Sequence, residues 1–182
     1  MSLTLDYAIV GLIVRQLREN GSWCGETHIQ KAAYVAKAVF GVPLSADFVL
    51  YKHGPFSFDL NAILSSMRAD KVLSLVPQGH YGPSIKSEPA MEFVFKKFEG
   101  QLSGVGEKIE KVAKFFGSKN VADLERLATA IFVSLKIPGV GPEARAAELN
   151  RLKPHIPLAS ALQAVSEADR FLEASGTMQR SA

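Results

Sequence analysis

Apolar residues recur every three to four positions along most of this chain, the period of an α-helix with one buried face. Leu5, Ile9, Leu12, Ile13 and Leu17 share one stripe, Arg15, Arg18 and Glu19 lie off it, and Asn20–Gly21 ends the run. A second helix is expected from Thr27, a good N-cap, to Phe40, before Gly41 and Pro43. Ile29, Ala33, Ala36 and Phe40 fall on one side of it, and Ala32, Val35 and Val39 widen that side. Gln30, Tyr34 and Lys37 are left as a polar face. An arc this broad predicts a central helix packed by several neighbours.

The helical period then breaks. Phe48–Val49–Leu50–Tyr51 reads as a short strand ended by the turn His53–Gly54–Pro55, where Pro55 keeps Gly54 out of helical angles. Ser57 caps a third helix to about Ala69, with Leu60, Ile63, Leu64 and Met67 as its stripe. Val72 to Val76 and Tyr81 to Ile85 flank Pro77–Gln78–Gly79–His80 as a β-hairpin. Helices followed by a two-stranded hairpin form the pattern of a winged-helix-like unit.

The remainder is helical: Pro89 to Phe98, Glu107 to Phe116, Val121 to Leu135, Glu143 to Leu152 after Pro142, and Leu158 to Ala174. Val121, Leu124, Leu127, Ala128, Ile131 and Leu135 form one stripe, and Leu158, Leu162, Val165 and Leu172 another. Glu107–Lys111 and Glu110–Lys114 have the spacing of surface ion pairs. The fold class expected is therefore mainly α with a small β-hairpin (α+β). A winged-helix-like core over 1–100 would carry a C-terminal helical region, 101–175, packed on it, and a frayed tail, 176–182.

Composition narrows the class without naming a function. The 182 residues are 47% hydrophobic and 21% charged, ordinary for a globular protein. A net charge of +3 does not by itself imply nucleic acid. No apolar run approaches the roughly 20 residues of a membrane span. Asp6 stands before the apolar stretch Tyr7–Val14, where a secretory signal would be basic. The single cysteine, Cys24, excludes an internal disulfide framework. A cytoplasmic protein with no membrane partner is expected.

Candidate chemistry is sparse. His28, His53, His80 and His155 lie in separate segments, with no metalloprotease, phosphate-loop or nucleophile-elbow motif around them. Cys24 and His28, four apart, have the spacing of a nucleophile–base pair or half a metal site, but an inert buried thiol is the simpler reading. Asp47, Asp59 and Asp70 read as caps. Nothing assembles nucleophile, base and oxyanion donor, so an enzyme is the weakest reading. Gly104–Val105–Gly106 and Gly139–Val140–Gly141 each precede a helix, as in helix-hairpin-helix DNA-binding motifs. Glu107 and Glu143 follow them, however, and put carboxylates where a phosphate would dock. Lys108, Lys111 and Lys114 are interleaved with glutamates and read as a solvated face. Lys96–Lys97 lies among Phe93, Phe95 and Phe98, which read as a core stripe.

One stretch is more distinctive. Ile29–Gln30–Lys31–Ala32–Ala33–Tyr34, then Phe48–Val49–Leu50–Tyr51–Lys52–His53–Gly54–Pro55–Phe56–Ser57–Phe58–Asp59–Leu60, resembles the Panacea (SocA-like) antitoxin domain and its YwgA-like relatives. Those families carry a Leu-Gln-Lys-x-x-Tyr helix, an aromatic-rich strand, a Tyr-Gly-Pro or His-Gly-Pro turn and a Leu-bearing helix. Ile29 replaces the leucine here. The resemblance covers about residues 5 to 100, and Val121 to Leu172, with Leu152–Lys153–Pro154–His155, looks like the YwgA-like helical tail. It implies a cofactor-free antitoxin-type module that neutralises or delivers a partner toxin, encoded next door, by direct binding. The rival reading is a winged-helix-like or helix-hairpin-helix DNA-binding regulator. The motif residues are Gln30, Lys31, Tyr34, Tyr51, Lys52, His53, Gly54 and Pro55. Their role is either to clamp strand to helix or, through Lys31, Tyr34, Lys52 and His53, to form a polar patch contacting the toxin.

Overall fold

The computed structural model describes residues 4–79 and 81–177, with the backbone alone at Tyr81. Nine helices and four strands follow in order among these residues: α1 (Leu5–Glu19), α2 (Glu26–Phe40), β1 (Val49–Tyr51), β2 (Gly54–Phe56), α3 (Phe58–Ala69), β3 (Leu73–Gln78), β4 (Tyr81–Ser87), α4 (Met91–Lys97), α5 (Glu99–Leu102), α6 (Gly106–Phe116), α7 (Val121–Lys136), α8 (Pro142–Leu152) and α9 (Leu158–Ala174). The protein is mainly α with two small antiparallel hairpins among the described residues, and its first half runs helix–helix–hairpin–helix–hairpin.

The helix ends follow local chemistry. Ser57 Oγ accepts from Leu60 N at 3.1 Å and starts α3. Asn120 Oδ1 accepts from Asp123 N at 2.9 Å and starts α7. Pro142 opens α8, where its missing N–H costs nothing. One helix start differs from expectation, and one short helix, α5, was not expected. Gly25, not Thr27, precedes α2 and brings no side chain to cap it. The short helix α5 carries no apolar stripe of its own.

β3 and β4 form the expected hairpin, with a register shift between Val76 and Gln78. Pro77 sits at that irregularity, where a residue without an N–H is tolerated. His80, expected in this turn, lies outside the described residues. The segment expected as strand then turn is a hairpin of its own. β1 pairs with β2 in the register Val49↔Phe56, Leu50↔Pro55, Tyr51↔Gly54, so Lys52–His53 make the turn and Gly54–Pro55 belong to a strand. Pro55 fits because it faces Leu50 at a pair that exchanges no hydrogen bonds across the ladder.

One buried apolar cluster holds both halves of the chain. It runs from Ile9, Ile13 and Leu17 of α1 through Ile29 and Val35 of α2 to Ile109 and Phe116 of α6, Leu124 and Ile131 of α7, and Val165 and Leu172 of α9. α6 packs on α1 and α2, and α7 on α2, so residues 1–100 share their core with 101–175. α2 is the central helix, but of its expected polar face only Lys37 stays half-exposed, paired with Asp47 at 3.1 Å. Gln30, Lys31 and Tyr34 are all buried, because α6, α7 and β2 surround the helix. Arg145 of α8 is likewise buried and bonds Asp169 of α9 at 2.5 and 2.7 Å, a bidentate pair joining the last two helices.

Several stripe residues turn outward. Val121, Leu158 and Leu162 are exposed, as is Phe93, which therefore is not core. The guanidinium of Arg15 covers Phe95, and the Lys97 ammonium lies over Phe98. Glu110 and Lys114 make their expected ion pair at 2.6 Å. Gly176 and Thr177 bond back to Glu173 and Leu172, and residues 178–182 of the expected frayed tail lie outside the described residues.

Candidate functional site

The β1–β2 hairpin is bolted to three helical segments through the motif residues. Gln30 bonds Ser57 twice, donating from Nε2 to Ser57 O and accepting from Ser57 N on Oε1, each at 2.9 Å. Lys31 Nζ donates to Pro55 O at 3.0 Å. Lys153, just after α8, donates to the carbonyl oxygens of both Tyr51 and Lys52. Two buried ammonium groups thus grip the hairpin, one through each strand or its turn. Buried polar groups must find partners, and short strands leave carbonyls to offer.

Gly54 is the point of closest approach. Its φ of +87° is strained for any residue with a side chain. A Cβ there would stand 2.9 Å from Thr129 Oγ1 on α7 and 3.6 Å from Lys31 Cε. Glycine is required twice over, for angle and for room.

Glu125 of α7 supplies the counter-charge. Its carboxylate is 7% exposed and faces His53 Nδ1 at 3.4 Å through Oε2. Through Oε1 it faces His155 Nε2 at 3.2 Å and Lys153 Nζ at 3.9 Å. Lys31 is 2% exposed, and burial pulls its pKa down to about 8, with Glu125 holding it up and Lys153 pushing it further down. Burial also lowers Lys153, against the pull of Glu125. Lys153 lies against the Glu125 carboxylate, Lys31 feels its charge from further off, and the two imidazoles stand on the exposed side.

The motif residues therefore divide. Gln30, Lys31, Gly54 and Pro55 are buried and hold the hairpin to α2 and α7. Tyr34 touches no turn carbonyl. It packs on Phe48 and Phe132, with ring centroids 5.6 and 6.2 Å apart. Lys31 and Tyr34 thus cannot belong to a surface patch, while Tyr51, Lys52 and His53 are exposed at the hairpin tip. Glu125, Thr129 and Lys153 complete the arrangement without having been singled out for it. The available signal was Glu125–Thr129 at i,i+4 beside the Leu124 stripe, polar residues where α7 meets neighbours.

Beside this buried frame the hairpin shows an aromatic face. Tyr51, Phe56 and Phe58 pack mutually, with ring centroids 5.1 to 5.8 Å apart. Tyr51 is 46% and Phe58 61% exposed, and Val49, directly opposite Phe56, is 51% exposed.

The other chemical candidates come apart. Cys24 is fully buried, and its thiol, pushed up to about 12 by burial, donates to Val14 O. His28 bonds Lys119 O at 3.1 Å instead of the thiol, so the two do not form a nucleophile–base pair. Asp70 accepts from Tyr7 OH at 2.9 Å, and Asp59 from Asp47 N at 3.1 Å. A Cβ on Gly141 would lie 3.7 Å from Glu143 Oε2, so the carboxylate does sit over the start of α8. Among the described residues no group of three or more His, Cys, Asp or Glu is placed to hold a metal ion, and no helix is long and apolar enough to cross a membrane. Neither the protein-family comparison nor the comparison with curated proteins returns a match for this chain.

Proposed function

We propose that this chain is a cytoplasmic, non-enzymatic protein-binding module of the antitoxin type, as its resemblance to Panacea and YwgA-like domains implies, and that it neutralises or delivers a partner protein by direct contact. The observation that carries this reading is the Tyr51–Phe56–Phe58 face with Val49 beside it. Exposed aromatics that pack on each other, on a rigid support, are what binding hot spots are made of. The support is the Lys31–Glu125–Lys153 frame, which orders the hairpin before any partner arrives and so lowers the entropic cost of association. A standard interface would bury roughly 800 Å² on each side, with the aromatic face near its centre.

The test is affinity for the protein encoded by the adjacent gene, with growth rescue on co-expression. Tyr51→Ala combined with Phe58→Ala should weaken binding about 100-fold or more, the loss typical of central aromatic anchors, and leave the Tm of the free protein unchanged. Unaltered binding by the double variant, or a neighbour that is harmless on its own, counts against the proposal. A DNA-binding regulator would instead show log affinity falling steeply with log salt.

A further inference from the structure

The two hairpins treat their edges differently. In the β3–β4 hairpin, Pro77 and Pro83 interrupt the strands, and Ile85 N of β4 bonds Cys24 O. Proline and covering chain are common ways of keeping a strand edge from pairing with another molecule. β1 has neither. Among the described residues its one strand neighbour is β2, and Phe48–Val49–Leu50–Tyr51 contains no proline, glycine or charge.

The register leaves main-chain groups to offer on that edge. Leu50 lies opposite Pro55, in a pair that exchanges no hydrogen bonds, so the N–H and C=O of Leu50 point away from β2. No described residue bonds them. Val49 and Tyr51, on either side of Leu50, share one face by strand alternation, and both are exposed.

Charge selects what pairs there. The chain entering β1 is acidic: Asp47 is exposed and bonded to Lys37 at 3.1 Å, and Asp59 stands beside it, accepting from Asp47 N. The chain leaving β1 is basic. Lys52 is exposed and has no ion pair among the described residues, and His53, whose Nδ1 faces Glu125, exposes the rest of its ring. A strand that is acidic at its start and basic at its end complements itself when run antiparallel.

We propose that β1 pairs antiparallel with β1 of a second copy of this chain, two-fold symmetric about Leu50, giving a four-stranded sheet in the order β2–β1–β1–β2. The two Leu50 residues exchange both of their free main-chain bonds. Val49 of each copy faces Tyr51 of the other, a β-branched–aromatic pair, and Asp47 of each faces the other's Lys52–His53 turn. The same patch serves both copies, so the contact closes as a dimer. The aromatic faces of both hairpins fall on one side of the joined sheet. The pairing does not depend on what that side binds.

Sedimentation equilibrium of the purified full chain, from about 5 to about 500 μM, is the test. So short an edge belongs with the small, weak interfaces, and a monomer–dimer equilibrium with a Kd of about 10–100 μM is expected. Asp47→Lys alone, or Lys52→Glu alone, should weaken the dimer at least about fivefold, and the two together should restore it, because reversed charges again meet their opposites. Val49→Lys, a charge on the exposed face of the edge, should weaken it at least about tenfold with the Tm of the monomer unchanged. In a mixture of labelled and unlabelled chains, isotope-filtered NOEs should join the Val49 methyls to the Tyr51 ring of the other copy. Should a charge-reversed chain not fold, Val49→Lys and the filtered NOEs carry the decision. A chain still monomeric at the highest concentration, a dimer that neither single reversal weakens or that the double reversal does not restore, or filtered NOEs from another surface would overturn the assignment. Because the measurement uses this chain alone, failure to bind the product of the adjacent gene would count against the proposed function and leave the dimer standing.

Discussion

Gly54 carries more constraint than any other motif residue. Alanine at this position meets a left-handed backbone and a threonine hydroxyl 2.9 Å away on a packed helix. Gly54→Ala should therefore cost about 2–4 kcal/mol in urea denaturation, strain and overpacking together. Pro55→Ala should cost under about 1 kcal/mol, since the carbonyl that Lys31 uses remains in place. Equal losses in the two variants would contradict this account. Lys31 makes a second prediction, in pH. Its folded pKa is about 8 against an ordinary 10.5, so between those values the unfolded chain holds the proton more tightly. Stability contributed at Lys31 is thus lowest below pH 8 and rises as pH climbs to about 10.5. Cys24 opposes this above about pH 9, because its thiol stays protonated in the fold. The difference in unfolding free energy between the native chain and Lys31→Met cancels the thiol and should increase from pH 8 to 10. A flat difference would show that Lys31 is solvated.

At the scale of elements, helix ends and stripes could be read from the chain because they depend on neighbours three or four residues away. α1, α3 and α9 begin and end where their caps and apolar positions put them. Ser57 illustrates how such a local signal gains a second role. Its hydroxyl caps α3, while its backbone is held on both sides by Gln30. Ser57→Ala should cost about 1 kcal/mol, a normal cap loss. Gln30→Leu should cost more, about 2–3 kcal/mol, because it strands the buried Ser57 N–H, whereas Ser57 O keeps its bond from Asn61 N. Chemical denaturation of the two variants checks the order. The β1–β2 hairpin was only half legible. A Gly–Pro pair signals a turn, and here it forms a strand because Lys52–His53 supply the reversal and Pro55 occupies a pair that needs no N–H.

For the whole molecule, the shared core sets the unit of folding. α6 and α7 cover faces of α1 and α2 that would otherwise be bare. The full chain should unfold in one cooperative transition, with coincident circular dichroism and fluorescence curves. A fragment of residues 1–100 should show no cooperative transition and should bind apolar dyes. A folded fragment would mean that the halves are separable domains.

Most helix positions, the Ser57 cap, the β3–β4 hairpin and the mainly α class followed from the sequence alone, since each rests on periodicity or on contacts within one turn. Only the tertiary structure decided that Gln30, Lys31 and Tyr34 face inward, that Phe93 and Val121 face outward, and that Glu125 and Lys153 meet the motif from about 70 to 100 residues away in the chain. A polar residue in a helix carries no local mark of which neighbour will bury it. That depends on where distant elements pack, and burial then turns a surface-like lysine into a clamp.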